Sequence, residues 1–150
     1  TNIINISELS DFLLGYLDSL LSQNNVVVFT TYRRDGMPQQ SLVTVGKIDN
    51  SLVFTTRSRN AKAFNLTRDP RCALMIISTD RRTFAVLDGI AEVSTPTNTD
   101  PEELRQILQG IYRAAAGKEH PDWAEYDKVM IEQKRIAISL KPTRIIGHNV

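Results

Sequence analysis

The sequence predicts a small closed or half-closed antiparallel β-barrel, mainly β, with six strands and helices at its edges. Three observations carry this. Short β-branched and apolar runs recur between residues 26 and 140. Turn residues separate most of them, and the segments with helical spacing lie outside or between them. At 150 residues, 41% hydrophobic and 23% charged, the chain suits one soluble domain spanning residues 1–150 with a core of ordinary size.

The first element is a helix. Leu9, Phe12, Leu13, Tyr16, Leu17, Leu20 and Leu21 recur at helical spacing, Ser7 is a credible N-cap, and Asn24-Asn25 ends the stripe. Residues 26–32 read as a buried strand, and Arg34-Asp35-Gly36 supplies a turn with Gly36 at positive φ. A second strand follows from Gln39 through Val45, and Asp49-Asn50 turns it into a third over 52–56, which together suggest a meander. A short helix from about Asn60 to Arg68 carries Ala63, Phe64 and Leu66 and is stopped by Asp69-Pro70.

Residues 72–78 and 83–94 read as two further strands joined by Asp80-Arg81-Arg82, with Gly89 marking a bulge or a close backbone approach. Pro101 opens a helix that runs to about Ala116, and a second helical segment follows Pro121 with Trp123, Tyr126, Val129 and Met130. Ile136, Ile138 and Leu140 alternate with Ala137 and Ser139 in a last strand, leaving a short tail from Lys141.

Charge and cysteine content narrow the function. Lys and Arg number 18 against 17 Asp and Glu, so no general affinity for nucleic acid or membranes is expected, and any anion site must be a local cluster. Cys72 is the sole cysteine and lies in an apolar run, which fits a buried inert thiol in a reducing cytoplasm. With only His120 and His148 besides, a Cys/His metal site is not expected. There is no basic region followed by an apolar block at the start of the chain, and no apolar run approaches the ~20 residues that span a bilayer. A cytoplasmic protein is therefore expected.

The usual catalytic constellations are missing, including a Gly-x-Ser-x-Gly elbow, a phosphate loop and a Gly-x-Gly-x-x-Gly turn. His120 precedes Pro121 at a helix start, where capping or solvent exposure is the ordinary role. The informative stretch is Thr55-Thr56-Arg57-Ser58-Arg59-Asn60-Ala61-Lys62, at a strand end and helix start. It holds three hydroxyls and three cations. A helix N-terminus with fixed cations makes an anion cradle, and a basic turn facing water is the alternative. Lys62 lies about one helical turn from Arg59, and Gln39, Gln40 and Ser41 open the strand beside the same turn.

Four segments in register resemble a known family: 31–39, 61–71, 88–92 and 112–123. The chain resembles the flavin-binding split barrels related to pyridoxamine-phosphate oxidase, and 112–123 is similar to the group that uses the deazaflavin coenzyme F-420. The resemblance implies a six-stranded split barrel, a homodimer with two cofactor sites at its interface, and FMN or the deazaflavin as cofactor. It implies that Gln40, Ser41, Leu42 and Val43 flank the ring, that Thr55 and Thr56 lie near the ring and its tail, and that Lys62 holds the phosphate. Arg59, Asn60 and Ala61 share that loop, and Phe84 and Ala85 would approach from the partner subunit.

The chain departs from the vitamin B6 oxidases at Ala61 and Gln40, where they carry arginines, and at residues 143–150, which lack their Arg and Trp pattern. Vitamin B6 oxidation is therefore not expected. The resemblance implies an oxidoreductase moving a hydride to or from a small conjugated substrate. A non-catalytic FMN carrier or sensor, and a barrel that has lost its cofactor, are the alternatives.

Overall fold

The computed structural model describes residues 2–5 and 11–148, with side chains from 15 to 147. Eight strands and four helices follow in the order β1 (Asn2–Asn5), α1 (Asp11–Gln23), β2 (Val26–Tyr32), β3 (Pro38–Thr44), β4 (Gly46–Ile48), β5 (Ser51–Arg57), α2 (Ala61–Arg68), β6 (Arg71–Ile77), β7 (Phe84–Ser94), α3 (Pro101–Ala116), α4 (Trp123–Glu132) and β8 (Arg135–His148). All strand pairings are antiparallel, in the spatial order β3-β2-β6-β7-β8-β5-β4, with β1 on β8. The expected mainly-β antiparallel split barrel is the observed architecture. The Ser7 cap and Leu9 fall outside the described residues.

Three sequence expectations need correction. The strands over 26–56 do not form a simple meander, because β3 pairs with β2 whereas β4 pairs with β5. The chain bends at buried Val45, so β3 and β4, the two ends of the sheet order, are consecutive in sequence. The curled sheet is therefore joined edge to edge at one point and left open above it. The expected short tail from Lys141 is instead the second half of β8, which runs against β7 as far as His148. Pro142 is tolerated there because it sits opposite Gly89, where the β7–β8 register shifts and the ladder needs no donor from it. With β1 and the separate β4, the six expected strands become eight.

Gly89 is required at that bulge, since a Cβ on it would lie 2.5 Å from the Lys141 carbonyl oxygen. Gly36 takes φ 83°, the left-handed conformation its turn demands. The barrel interior is filled by strand residues such as Val27, Phe29, Phe54, Leu74, Leu87 and Ile138, and Leu17 and Leu20 of α1 pack against the same core. Phe29 and Phe54 meet edge-on at 4.8 Å between ring centroids. A second core lies beneath the helical pair: Leu104, Leu108 and Ile111 of α3 and Tyr126 of α4 pack on Val53 and Ala137.

Helix α3 shows why these positions are helical. Asp100 caps it by accepting from the Glu102 and Glu103 N–H groups, Pro101 occupies the first turn, and Gly117 ends it at φ 69°. No helix of the described residues is long and apolar enough to cross a membrane.

Candidate cofactor site

The opening in the barrel is where the site forms. Strand β3 pairs along its whole length with β2, and no other strand among the described residues pairs with it, so its second edge is free. Strand β5 loses its β4 neighbour beyond Val53 and keeps only β8 on its other side. Residues 42–44 and 55–56 therefore face one another across a gap with backbone groups left for something other than a strand. Helices α3 and α4 roof the gap with Ile111, Tyr112, Tyr126 and Met130, enclosing a cavity of about 490 Å³.

One wall is polar and cationic. Thr55, Thr56, Asn60, Lys62 and Arg135 line it, and among the described residues no Asp or Glu lines the cavity. Asn60 is the N-cap of α2 but makes no side-chain cap bond. Its Nδ2 donates instead to Thr56 Oγ1 at 2.9 Å, holding that hydroxyl in place. The N–H groups of Ala63 and Phe64 donate to the Asn60 carbonyl, and those of Ala61 and Lys62 have no acceptor among the described residues, at the end carrying the positive helix dipole. Lys62 is half-buried, and no salt bridge or hydrogen bond engages its ammonium among the described residues. Burial, and then the nearby Arg135 charge, hold its pKa below the ordinary lysine value. Desolvated cations without a counter-charge are costly unless an anion supplies one.

The opposite wall is aromatic and apolar. Tyr112 lies edge-on to Tyr126 at 5.4 Å, to Trp123 at 5.7 Å and to His120 at 4.8 Å. Tyr126 donates from its hydroxyl to the Leu108 carbonyl at 2.7 Å, which ties α4 to α3, and burial pushes its pKa up to about 12. The Tyr112 hydroxyl makes no hydrogen bond among the described residues. The cavity thus combines anion-binding chemistry at one end with a flat apolar surface at the other, the requirements of a planar ring bearing a phosphate tail.

The structure brings Leu42, Val43, Thr55, Thr56, Asn60 and Lys62 together in this cavity. Gln40 and Ser41 lie further along β3 outside it. Gln40 is exposed and donates to Thr30 Oγ1 at 3.2 Å. Arg59 and Ala61 are exposed and do not line the cavity. Phe84 lines a separate cavity with Gln23, Asn24 and Met75, and Ala85 is fully buried in the barrel core. Among residues the sequence reading missed, Thr44, Tyr112, Tyr126, Met130 and Arg135 all line the site. The 112–123 segment was visible as a motif, but its position over the cavity was not.

Other reactive groups are committed elsewhere. The Cys72 thiol is buried, and burial with the Asp88 charge pushes its pKa up to about 12, far from a nucleophile. His120 Nδ1 accepts from the Asp122 N–H at 2.9 Å, a capping contact at the start of α4.

A half-open antiparallel barrel with a cationic, ring-sized cleft between two free strand edges defines a class of flavin-binding split barrels. Residues 15–149 match the family described as pyridoxamine 5'-phosphate oxidase, and the chain belongs to that flavin-binding family. Its fold is similar to that of Rv2991, a conserved hypothetical protein from Mycobacterium tuberculosis, at a TM-score of 0.73 and 20% identity, covering 93% of this chain and 84% of that one. It is similar to an F420 reductase at a TM-score of 0.61 and 22% identity, covering 86% of this chain and 94% of that one. An FMN-binding protein from Nostoc punctiforme related to pyridoxamine 5'-phosphate oxidase matches at a TM-score of 0.63 and 17% identity, covering 93% and 85%.

Proposed function

We propose that this protein is a dimeric oxidoreductase that binds FMN or the deazaflavin coenzyme F-420 in the β3–β5 gap and reduces or oxidises a small conjugated molecule. The observation that carries this is Lys62, half-buried in a cavity with no acid and no carboxylate partner among the described residues, at the start of a helix whose first two N–H groups are open. The donor set fits a phosphate. In this reading Lys62, Asn60 and the Thr55 and Thr56 hydroxyls hold the phosphate end, and the free β3 edge at 42–44 offers backbone donors to the ring. Bound there, the cofactor supplies hydride-transfer chemistry.

The chain's own work is orientation, electrostatics and exclusion of water. Backbone N–H groups along β3 stabilise negative charge without a dedicated acid. Tyr112 and Met130 cover the ring side and fix a flat substrate against it. Leu42 is 70% exposed at the cavity edge, and a second subunit would cover it while bringing Phe84 toward the ring.

One observation favours a second reading, a non-catalytic carrier or sensor: among the described residues no Asp, Glu, His or Cys lines the cavity to move a proton. Parallel fluorescence titrations with FMN and coenzyme F-420, with heme as a control, decide whether the site is a flavin or deazaflavin site. Micromolar binding of either ring supports it, and binding of neither overturns it. Turnover of the loaded protein with an artificial electron acceptor then separates enzyme from carrier, and light scattering measures the dimer.

A further inference from the structure

We propose that Arg135, on β8, is the second cation of the phosphate site and that with Lys62 it selects a phosphorylated ring cofactor over its phosphate-free form. This rests on the flavin or deazaflavin reading above and extends it to a residue from a different element. Arg135 begins β8 directly opposite Arg57 of β5, a like-charged cross-strand pair that weakens the sheet locally. It lines the same cavity as Lys62, and no carboxylate forms a salt bridge with it among the described residues. Two cations, Lys62 and Arg135, thus share the cavity, and the exposed Arg57 stands beside Arg135 outside it.

The placement is held by backbone, which argues against a wandering surface arginine. Lys134 turns the chain at φ 52°, its N–H donates to Ile131 O at 3.1 Å, and its carbonyl accepts from the Ser58 N–H at 3.0 Å. That last bond ties the start of β8 to the loop before α2. The guanidinium is aimed by Nε donating to Gln133 Oε1 at 2.9 Å and by Nη1, 3.4 Å from Thr55 O. Its remaining N–H donors have no protein acceptor among the described residues.

Burial first, then Arg57, lower the pKa of Arg135, and Arg135 in turn lowers that of Lys62, so the two cavity cations feel each other. An arginine fork beside a lysine point charge suits a phosphate, whose free oxygens are shared between the fork and the ammonium.

The test compares phosphorylated and phosphate-free ligands: FMN against riboflavin, which differ only in the phosphate, and coenzyme F-420 against the deazaflavin that lacks its phosphate-linked tail. Arg135→Met is expected to weaken the phosphorylated ligand about tenfold or more while changing its phosphate-free partner less than twofold, the scale of one charge-assisted hydrogen bond. Arg135→Lys is expected to recover part of the loss. The unliganded Arg135→Met protein is expected to melt no lower than wild type, because the substitution removes a repelling cation.

Equal weakening of both ligands, with a lowered Tm, would mark a packing role and overturn the assignment. So would an unchanged FMN or F-420 affinity. Wild-type protein that binds neither phosphorylated ring overturns the parent reading and this assignment together, whereas the other two results overturn the assignment alone.

Discussion

Helix α3 divides two cavities of nearly equal volume, about 490 and 500 Å³, and Ile111 touches both. On one side the charged lining residues are Lys62 and Arg135. On the other they are Asp49, Glu92 and Glu103, with no base among them. A net charge of +1 averages this away. The comparison shows that charge is sorted across one helix, and that what marks the first cavity is the exclusion of acids rather than an abundance of cations. The acidic residues of the second cavity are all exposed, whereas Lys62 and Arg135 are half-buried. Water screens the first set and leaves the second wanting a partner.

The sharpest way to break the comparison is Lys62→Glu, which puts an acid where the cationic cavity has none. Loss of a charge-assisted bond plus a repelling charge is expected to cost about 3 kcal/mol or more, over a hundredfold in FMN or F-420 affinity by fluorescence titration. An affinity within threefold of wild type would remove the cavity from consideration as the phosphate site.

Next in size is Gly46→Ala. A Cβ there would lie 2.6 Å from the backbone carbonyl carbon of Ala114, so β4 and α3 must part. Urea unfolding should show a loss of about 1–3 kcal/mol. Undiminished stability would mean that α3 is not clamped to the sheet as described.

A smaller effect follows from the lowered pKa of Lys62. The unfolded lysine keeps its proton at pH values where the folded one has begun to lose it, so this residue makes stability rise with pH between the folded pKa and the ordinary value. The unliganded Lys62→Met protein should lack that rise, and the difference between its Tm profile and that of wild type should shrink as the pH climbs through the window. A constant difference across the window would contradict the desolvated ammonium. Smallest of all is Glu103→Gln on the acidic side, expected to shift cofactor affinity and stability by less than about 0.5 kcal/mol. A tenfold change in affinity would show that the two cavities communicate through α3.

Local chemistry made much of this legible. Pro101 opens α3 and Ala116 ends it in sequence as in the structure, where Asp100 and Gly117 cap the two ends through contacts within a few residues. Lys62 was readable for the same reason, since strand end, turn and helix start are contiguous. Arg135 was not, because its neighbour Thr55 is 80 residues away and only the β5–β8 ladder brings them together. The second half of β8 was obscured by Pro142, which would disqualify a central strand unless a bulge absorbs it, here by Thr143 standing unpaired next to it in the same strand. The β3–β4 bend was hidden because apolar residues continue through Val45, and nothing local says that its two arms pair with different partners.

A final consequence follows from Asn25. Its single side-chain amide donates to the carbonyl of Val45 at 3.2 Å and to that of Ala115 at 2.8 Å, while its own carbonyl accepts from the Val45 N–H at 2.9 Å. The residue thus works as a spacer gauge between the hinge of the sheet and the end of the roof helix. Moving the end of α3 away from the bend of the sheet therefore means giving up the Ala115 bond or the Val45 bonds of this one asparagine.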